Sequence, residues 1–317
     1  MEKDIINISG SIGLSILLDK KTNKKVYIFY DDHSNSEYCK ENNFYINNLF
    51  EYFFIKNQNT IFLLEEPFIK DGDKLIDLWT GSEHVIKFRK FYCKLLDKCK
   101  NKVFCKAFPI DIRLCMVEIS LDELFDNLTT PNYFDDISFT VQQYFSNILY
   151  IFDLNYLSDP NKYNPDDNIL FIKKVFNIFN NSEYYLKLKE KVISFYSKYI
   201  ENNLNLGIKD FIIKYPQIKF EYVKGYPFID NYDYTMTDDF DKIMSGIMEF
   251  YIVILINYID NDIFILNAGY FHCNNVEYIL SNKYGFEVIY QIGIVDDILN
   301  KKTSDIVNCL SISKKYL

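Results

Sequence analysis

The sequence is poor in several features, and each shortage removes a class of protein. Only 10 Gly and 7 Pro occur in 317 residues, which excludes collagen-like and linker-rich chains. Arginine is almost missing: Arg89 and Arg113 stand alone among lysines. No basic run exceeds Lys20-Lys21 or Lys24-Lys25, and the net charge is −9. Such a surface repels phosphate backbones, so nucleic acid is not an expected partner. Apolar runs are short. The longest, residues 250–256, falls well below the roughly 20 residues a bilayer span needs, and no membrane span is expected. The start, Met1-Glu2-Lys3-Asp4, is acidic, and the apolar stretch 12–18 contains Gly13 and Ser15, so no secretory signal is expected. No C-x-x-C pair exists. The seven cysteines (Cys39, Cys93, Cys99, Cys105, Cys115, Cys273, Cys309) are odd in number and irregularly spaced. They read as reduced, mostly buried thiols of a cytoplasmic protein.

What remains is 49% hydrophobic, enough for a sizeable core. Asn, Ile, Lys, Tyr and Phe dominate in the manner of an AT-rich genome. Short apolar runs at 25–30, 60–64, 102–107, 263–266 and 286–290 read as strands. Helical spacing covers 38–55, 83–99, most of 121–218, 238–259 and 274–283, with loops at 129–131 and 158–167. Strands alternate with helices at both ends of the chain. That pattern predicts an α/β fold, with a mostly parallel or mixed sheet flanked by helices. We expect one domain over 1–317, with residues 130–235 as a helical insertion or cap.

Four predicted strands run into residues of catalytic type. Strand 25–30 leads to Asp31, Asp32, His33, Ser34 and Asn35. Strand 60–64 leads to Glu65 and Glu66, strand 102–107 to Asp111 and Arg113, and strand 263–266 to Gly269 and His272. Ligands of open α/β sheets bind outside the carboxyl ends of the strands. If these strands are parallel neighbours, two imidazoles and several carboxylates face one crevice, a ligand set suited to a divalent metal. Plainer roles exist for each: Asp31, Asp32 and Ser34 as helix caps, Glu65 and Glu66 as a solvated strand end, Asp111 and Arg113 as a structural ion pair, Gly269 as a tight turn. His84, in a polar stretch at a helix start, is the weakest of the three histidines.

These segments resemble the erythromycin-esterase, Tiki and TraB-like superfamily. IFILNAGYFHCNNVEYILSNKYGFEVIY resembles its C-terminal motif, with Gly269 and His272 at the G-x-x-H positions and Gly285 before the last strand. VYIFYDDHSN resembles the first motif, a strand followed by G-E-x-H, and matches its histidine with His33. FLLEEPF resembles the second, acidic motif at Glu65. FPIDIR resembles an H-x-x-D-x-R segment of viral-type relatives at Asp111 and Arg113. The resemblance does not extend to about 130–235. It departs from the pattern at Tyr30, where the family has Gly, at Asp31, one methylene shorter than Glu, and at Phe108, where the family has His.

The resemblance implies a hydrolase of peptide or ester bonds. His33, Glu65 and His272 would hold a divalent metal (Zn, Mn or Fe) or act by acid–base chemistry, with Asp31 and Asp111 assisting and Arg113 holding an anion or the developing oxyanion. The partner is then a small-molecule or peptide substrate. The altered first motif opens a second expectation, a catalytically degenerate scaffold that binds a host or virion protein. A third is haem binding through Tyr270 or His272. The composition, with this resemblance, suggests the genome of a large DNA virus.

Overall fold

The computed structural model describes residues 5–33, 39, 44–56, 59–67, 83–99, 105–154, 163–215, 236–295 and 306–316. The chain forms two compact units, one of residues 1–111 with 255–317 and one of residues 112–254.

The first unit is the α/β part. In chain order it holds β1 (Ile5–Ser9), β2 (Gly13–Asp19), β3 (Lys24–Asp31), β4 (Phe44–Tyr45), α1 (Ile46–Lys56), β5 (Thr60–Pro67), α2 (Glu83–Cys99) and β6 (Cys105–Asp111). Five of the helices that follow, α3 (Arg113–Met116), α4 (Leu121–Asp126), α5 (Val141–Ile151), α6 (Asp167–Ile178) and α7 (Glu183–Phe195), belong to the second unit, as does α8 (Ile208–Lys214). The long helix α9 (Met236–Tyr258) brings the chain back to the first unit, which ends with β7 (Ile263–Gly269), α10 (Tyr270–Lys283), β8 (Glu287–Gly293) and β9 (Cys309–Ser313).

Six strands make the main sheet, in the order β6-β5-β7-β3-β2-β8. The first four are parallel neighbours, and β2 runs antiparallel to both β3 and β8. A small sheet, β4-β1-β9, joins residues near both chain ends, with Ile5 opposite Ser313. The central strands are nearly pure apolar runs, as expected where both faces are covered. On one face Tyr27, Phe29, Phe62, Leu64 and Ile265 pack with Leu49, Phe50 and Phe53 of α1 and Phe88, Phe91 and Leu95 of α2. On the other lies α10, which buries Cys273, Val276 and Leu280. Lys24 is buried, and its ammonium donates to the carbonyls of Ile256 at 2.6 Å and Ile259 at 3.0 Å. A cation at this end complements the partial negative charge of the α9 terminus.

In the second unit, side-chain caps fix the helix starts. Ser120, Asp166 and Ser182 each accept from an amide of the first turn, and Thr140 and Gln143 form a capping box. Rings fill its core: Phe145 lies within contact of Phe195, Phe211 and Phe240, and Phe250 stacks on Tyr184.

The α/β class, the mostly parallel sheet and the helical middle agree with the sequence reading. The start of the predicted strand 102–107 and parts of the predicted helical stretch and loops (155–162, 216–235) lie outside the described residues. The reduced state expected of the cysteines is corrected for two of them. Cys39 and Cys309 form a disulfide across 270 residues of sequence, because β9 returns beside β1, where the Cys39 amide donates to Ser9 Oγ at 3.1 Å. Cys93, Cys115 and Cys273 are thiols.

Candidate functional site

The sheet order places the carboxyl ends of β6, β5, β7 and β3 side by side. Asp31 is in register with Gly269, and Pro67 with Asp111. Four chain segments far apart in sequence therefore deliver Asp31, Glu65, Glu66, Asp111 and Gly269 to one edge of one sheet.

His33 is the centre of this group. Its Nδ1 meets Asp31 Oδ2 at 2.8 Å, and its Nε2 meets Glu65 Oε2 at 3.1 Å. Asp31 also accepts the His33 amide, at 3.0 Å to Oδ1. One buried carboxylate thus fixes both ring and backbone. The backbone needs fixing, since His33 has φ of 50°, a left-handed conformation that is uncommon for non-glycine residues. Burial pulls the pKa of His33 down. The hydrogen bonds to Asp31 and Glu65, then their charges, more than reverse this and push it up to about 11. The ring at rest is therefore an imidazolium that donates from both nitrogens. Its side chain is 46% exposed, so it is open to a reactant.

Glu65 Oε2 accepts a second hydrogen bond, from the Gly269 amide at 2.5 Å. Gly269 is glycine for reasons of room. A Cβ there would stand 3.1 Å from His33 Nε2 and 3.4 Å from Glu65 Oε2. A side chain at this position would crowd the His33–Glu65 pair. Gly269 is the helix start after β7, with φ of −55°, and not a left-handed turn.

The remaining expected residues fall as follows. Asp111 is buried at the end of β6. His272 lies in the first turn of α10, three residues after Gly269, and is half-buried. Arg113 opens α3 in the second unit. There Asp241 is pushed up to about 6 by burial and by Asp122 and Asp238, and the charge of Arg113 opposes the shift. His84 lies in the first turn of α2, and its side chain is outside the described residues. Ser34 and Asn35 are outside them too. Glu66 is not a solvated strand end. It is buried with Arg89 of α2, Nε to Oε2 at 2.9 Å. Burial raises its pKa and Arg89 opposes the rise. One of only two arginines in the chain is spent on this pair, which sequence alone did not connect. Tyr30 points away from His33. Its ring lies against Tyr270, and its hydroxyl donates to Glu277 of α10. Strand alternation sends this bulk beneath the helix, on the opposite face from Asp31.

The donors among the described residues do not by themselves complete a metal site. His33 Nδ1 is taken by Asp31. His33 Nε2 and Glu65 then supply two donors, one short of the three protein ligands of a catalytic zinc. Among the described residues no three His, Cys, Asp or Glu side chains gather at ligand spacing. Tyr270 is buried, with its hydroxyl 3.2 Å from the Val295 carbonyl, which removes it as an open haem ligand. Among the described residues no helix is long and apolar enough to cross a membrane. Comparison with family models, with characterised proteins and with solved structures finds no match.

Proposed function

We propose that this chain is a hydrolase of ester or peptide bonds that works by His/carboxylate acid–base chemistry. The observation that carries the reading is the half-exposed His33 ring held between Asp31 and Glu65 in a left-handed backbone conformation. In this mechanism a water beside Glu65 loses its proton to that carboxylate as its oxygen attacks the substrate carbonyl carbon. The imidazolium of His33 donates to the developing oxyanion and then gives its proton to the leaving alkoxide or amine. A ring with so high a pKa is a poor base at neutral pH, so the acid role falls to His33 and the base role to Glu65. Asp31 is a positioning residue. The resemblance to the erythromycin-esterase, Tiki and TraB-like superfamily supports the same reaction class. The placement of Tyr30 beneath α10 leaves the acid–base pair unobstructed by that departure.

The test is a panel of aryl and alkyl esters and of peptides, assayed with wild type, His33→Gln and Glu65→Gln, each checked for folding by thermal unfolding. Turnover that falls on the order of 100-fold or more in both folded variants is expected. Turnover equal in all three would end the reading. Element analysis of the same samples addresses Zn, Mn and Fe. One equivalent of metal lost in both variants would replace acid–base chemistry with a metal centre.

A second reading, a scaffold binding a host or virion protein, is favoured by apolar residues exposed on the second unit: Leu170, Phe171 and Ile178 of α6, and Leu186 and Ile193 of α7. A folded chain inactive on the whole panel, with a defined complex lost in Leu186→Lys with Ile193→Lys, would support it. The cytoplasmic location expected from the sequence is weakened by the Cys39–Cys309 bond, since disulfides are rare in reducing compartments. Thiol labelling of the protein in cells, with Cys39 and Cys309 blocked or reactive, decides that point.

A further inference from the structure

Beneath α10, on the opposite face of the sheet from Asp31, lies a closed ring of hydrogen bonds that the proposed reaction does not use. Tyr30 is fully buried, and its hydroxyl donates to Glu277 Oε2. Gln291 Nε2 donates to Glu277 Oε1 at 2.7 Å and to Ser15 Oγ at 3.2 Å. Ser15 Oγ is 3.2 Å from the Tyr30 hydroxyl. The Tyr30 hydrogen goes to Glu277, so the serine is the donor in that contact. Every polar hydrogen of the ring is then used once. The ring ties together β2, β3, β8 and α10.

Tyr30 stands next to both groups that hold the acid–base pair. The residue after it is Asp31, whose carboxylate meets His33 Nδ1. Its ring packs on that of Tyr270, with centroids 5.7 Å apart. The residue before Tyr270 is Gly269, whose amide donates to Glu65 Oε2. The strand register repeats the relation: Tyr30 pairs with Ala268, and Asp31 with Gly269. Tyr30 is itself held at both ends. Its carbonyl accepts from the Ile12 amide at 2.9 Å and from Ser11 Oγ at 2.8 Å, and its hydroxyl sits in the ring. On α10, Tyr270, Cys273 and Glu277 share one face through their spacing of three and four residues. Cys273 Sγ lies 3.2 Å from the Ala268 carbonyl. Apolar burial has no direction, whereas hydrogen bonds do. The tie at Glu277 therefore sets the roll of α10 on the sheet, and with it the place of the first turn and the Gly269 amide.

We propose that Tyr30, anchored by Glu277, is a positioning residue that sets the spacing of His33 and Glu65, through Asp31 on one side and Gly269 on the other. Its part in catalysis rests on the hydrolase reading; the spacing itself does not, and is measured without a substrate.

The test uses the full chain, labelled with ¹⁵N in glycine and ¹³C in the histidine rings. The Gly269 amide is assigned by its loss in Gly269→Ala, and the His33 ring by its loss in His33→Gln. Tyr30→Phe keeps the ring and removes the hydroxyl. Glu277→Ala removes the acceptor, and Glu277→Gln restores one. In Tyr30→Phe and Glu277→Ala the Gly269 amide proton should move upfield, as its hydrogen bond to Glu65 lengthens, and the His33 ring signals should move with it. Glu277→Gln should recover part of both shifts. Leu95→Ala, in α2 on the other face of the sheet, should lower the melting temperature and leave both signals in place, which separates positioning from lost stability. On a substrate that wild type turns over, Tyr30→Phe should lower kcat about tenfold and leave KM within about twofold. Ser15→Ala breaks the ring from β2 and covers the case where Tyr30→Phe fails to fold. Unmoved Gly269 and His33 signals in the folded ring variant, or equal movement in Leu95→Ala, would overturn the proposal. The expected shifts in a protein that turns over no ester or peptide would defeat the hydrolase reading alone. Turnover by wild type, with unmoved signals and full kcat in Tyr30→Phe, would defeat this proposal alone.

Discussion

Breaking the bond between Cys39 and Cys309 should lower the stability of the first unit by several kcal/mol. The bond closes a loop of 270 residues. In the chain-entropy account, a closed loop of that length lowers the freedom of the unfolded chain by about 5.5 kcal/mol at 25 °C. Measured bonds usually deliver less than this account gives, so about 3–5 kcal/mol is expected between the oxidised protein and a Cys39→Ser, Cys309→Ser variant. The assay is urea unfolding followed by circular dichroism. Two compact units allow two transitions, and both cysteines belong to the first unit, so one midpoint should move and the other stay. Because the cross-link acts on the unfolded chain, the oxidised protein should also show a smaller urea slope in the transition that moves. Thiol titration under denaturant gives an independent count: seven cysteines less the bonded pair leaves no more than five. Seven thiols in fresh protein, or two transitions indifferent to the substitutions, would refute the reasoning.

Three further outcomes are expected. The ring of His33 should titrate near pH 11 rather than 6.5. A raised pKa means the folded state holds the proton more tightly, so this stabilisation is whole below about pH 6.5 and is lost as pH climbs through 11; a His33 NMR titration with an ordinary midpoint, or a His33→Gln variant with unchanged alkaline stability loss, would contradict it. Replacing Arg89 with Met should cost about 3–5 kcal/mol, because it strands the buried Glu66 charge, while Arg89→Met with Glu66→Leu should recover most of the loss in denaturant melts. Gly269→Ala pushes a methyl against His33 Nε2 and Glu65 Oε2 and should cut turnover on the order of tenfold with little change in melting temperature; a full rate would separate His33 from the reaction.

The fold was legible wherever apolar runs were long and bounded. β3, β5 and β7 and the helices α2 and α9 lie where period and composition place them. β1, β2, β4 and β9 escaped. Residues 12–18 read as an apolar stretch without a role, yet Gly13 is what lets β2 pass β8, since a Cβ there would stand 2.2 Å from the Ile294 carbonyl oxygen. Such a requirement belongs to a long-range pairing that no local window contains. The site was legible as strand ends: Asp31, His33 and Glu65 meet because β3, β7 and β5 are neighbours, as supposed. What was not legible is pairing across elements. Nothing in the spacing of Glu66 and Arg89, or of Cys39 and Cys309, signals a contact, because each depends on which elements the fold brings together. Arg113, two residues after Asp111 in sequence, belongs to the second compact unit, which begins at Ile112.

The position of β7 in the sheet bears on the order in which a ribosome can assemble this protein. β3 and β5 are not hydrogen-bonded to each other; β7 lies between them. Residues 263–269 leave the ribosome after the whole of residues 112–254. The helical unit has every residue it needs before the sheet has its middle strand. Until then β3 and β5 expose unpaired apolar edges, the condition under which nascent chains recruit chaperones or aggregate. The strand that joins β3 to β5 also brings the Gly269 amide to Glu65 Oε2. A chain cut short before residue 263 would therefore carry His33 and Glu65 and still have no site.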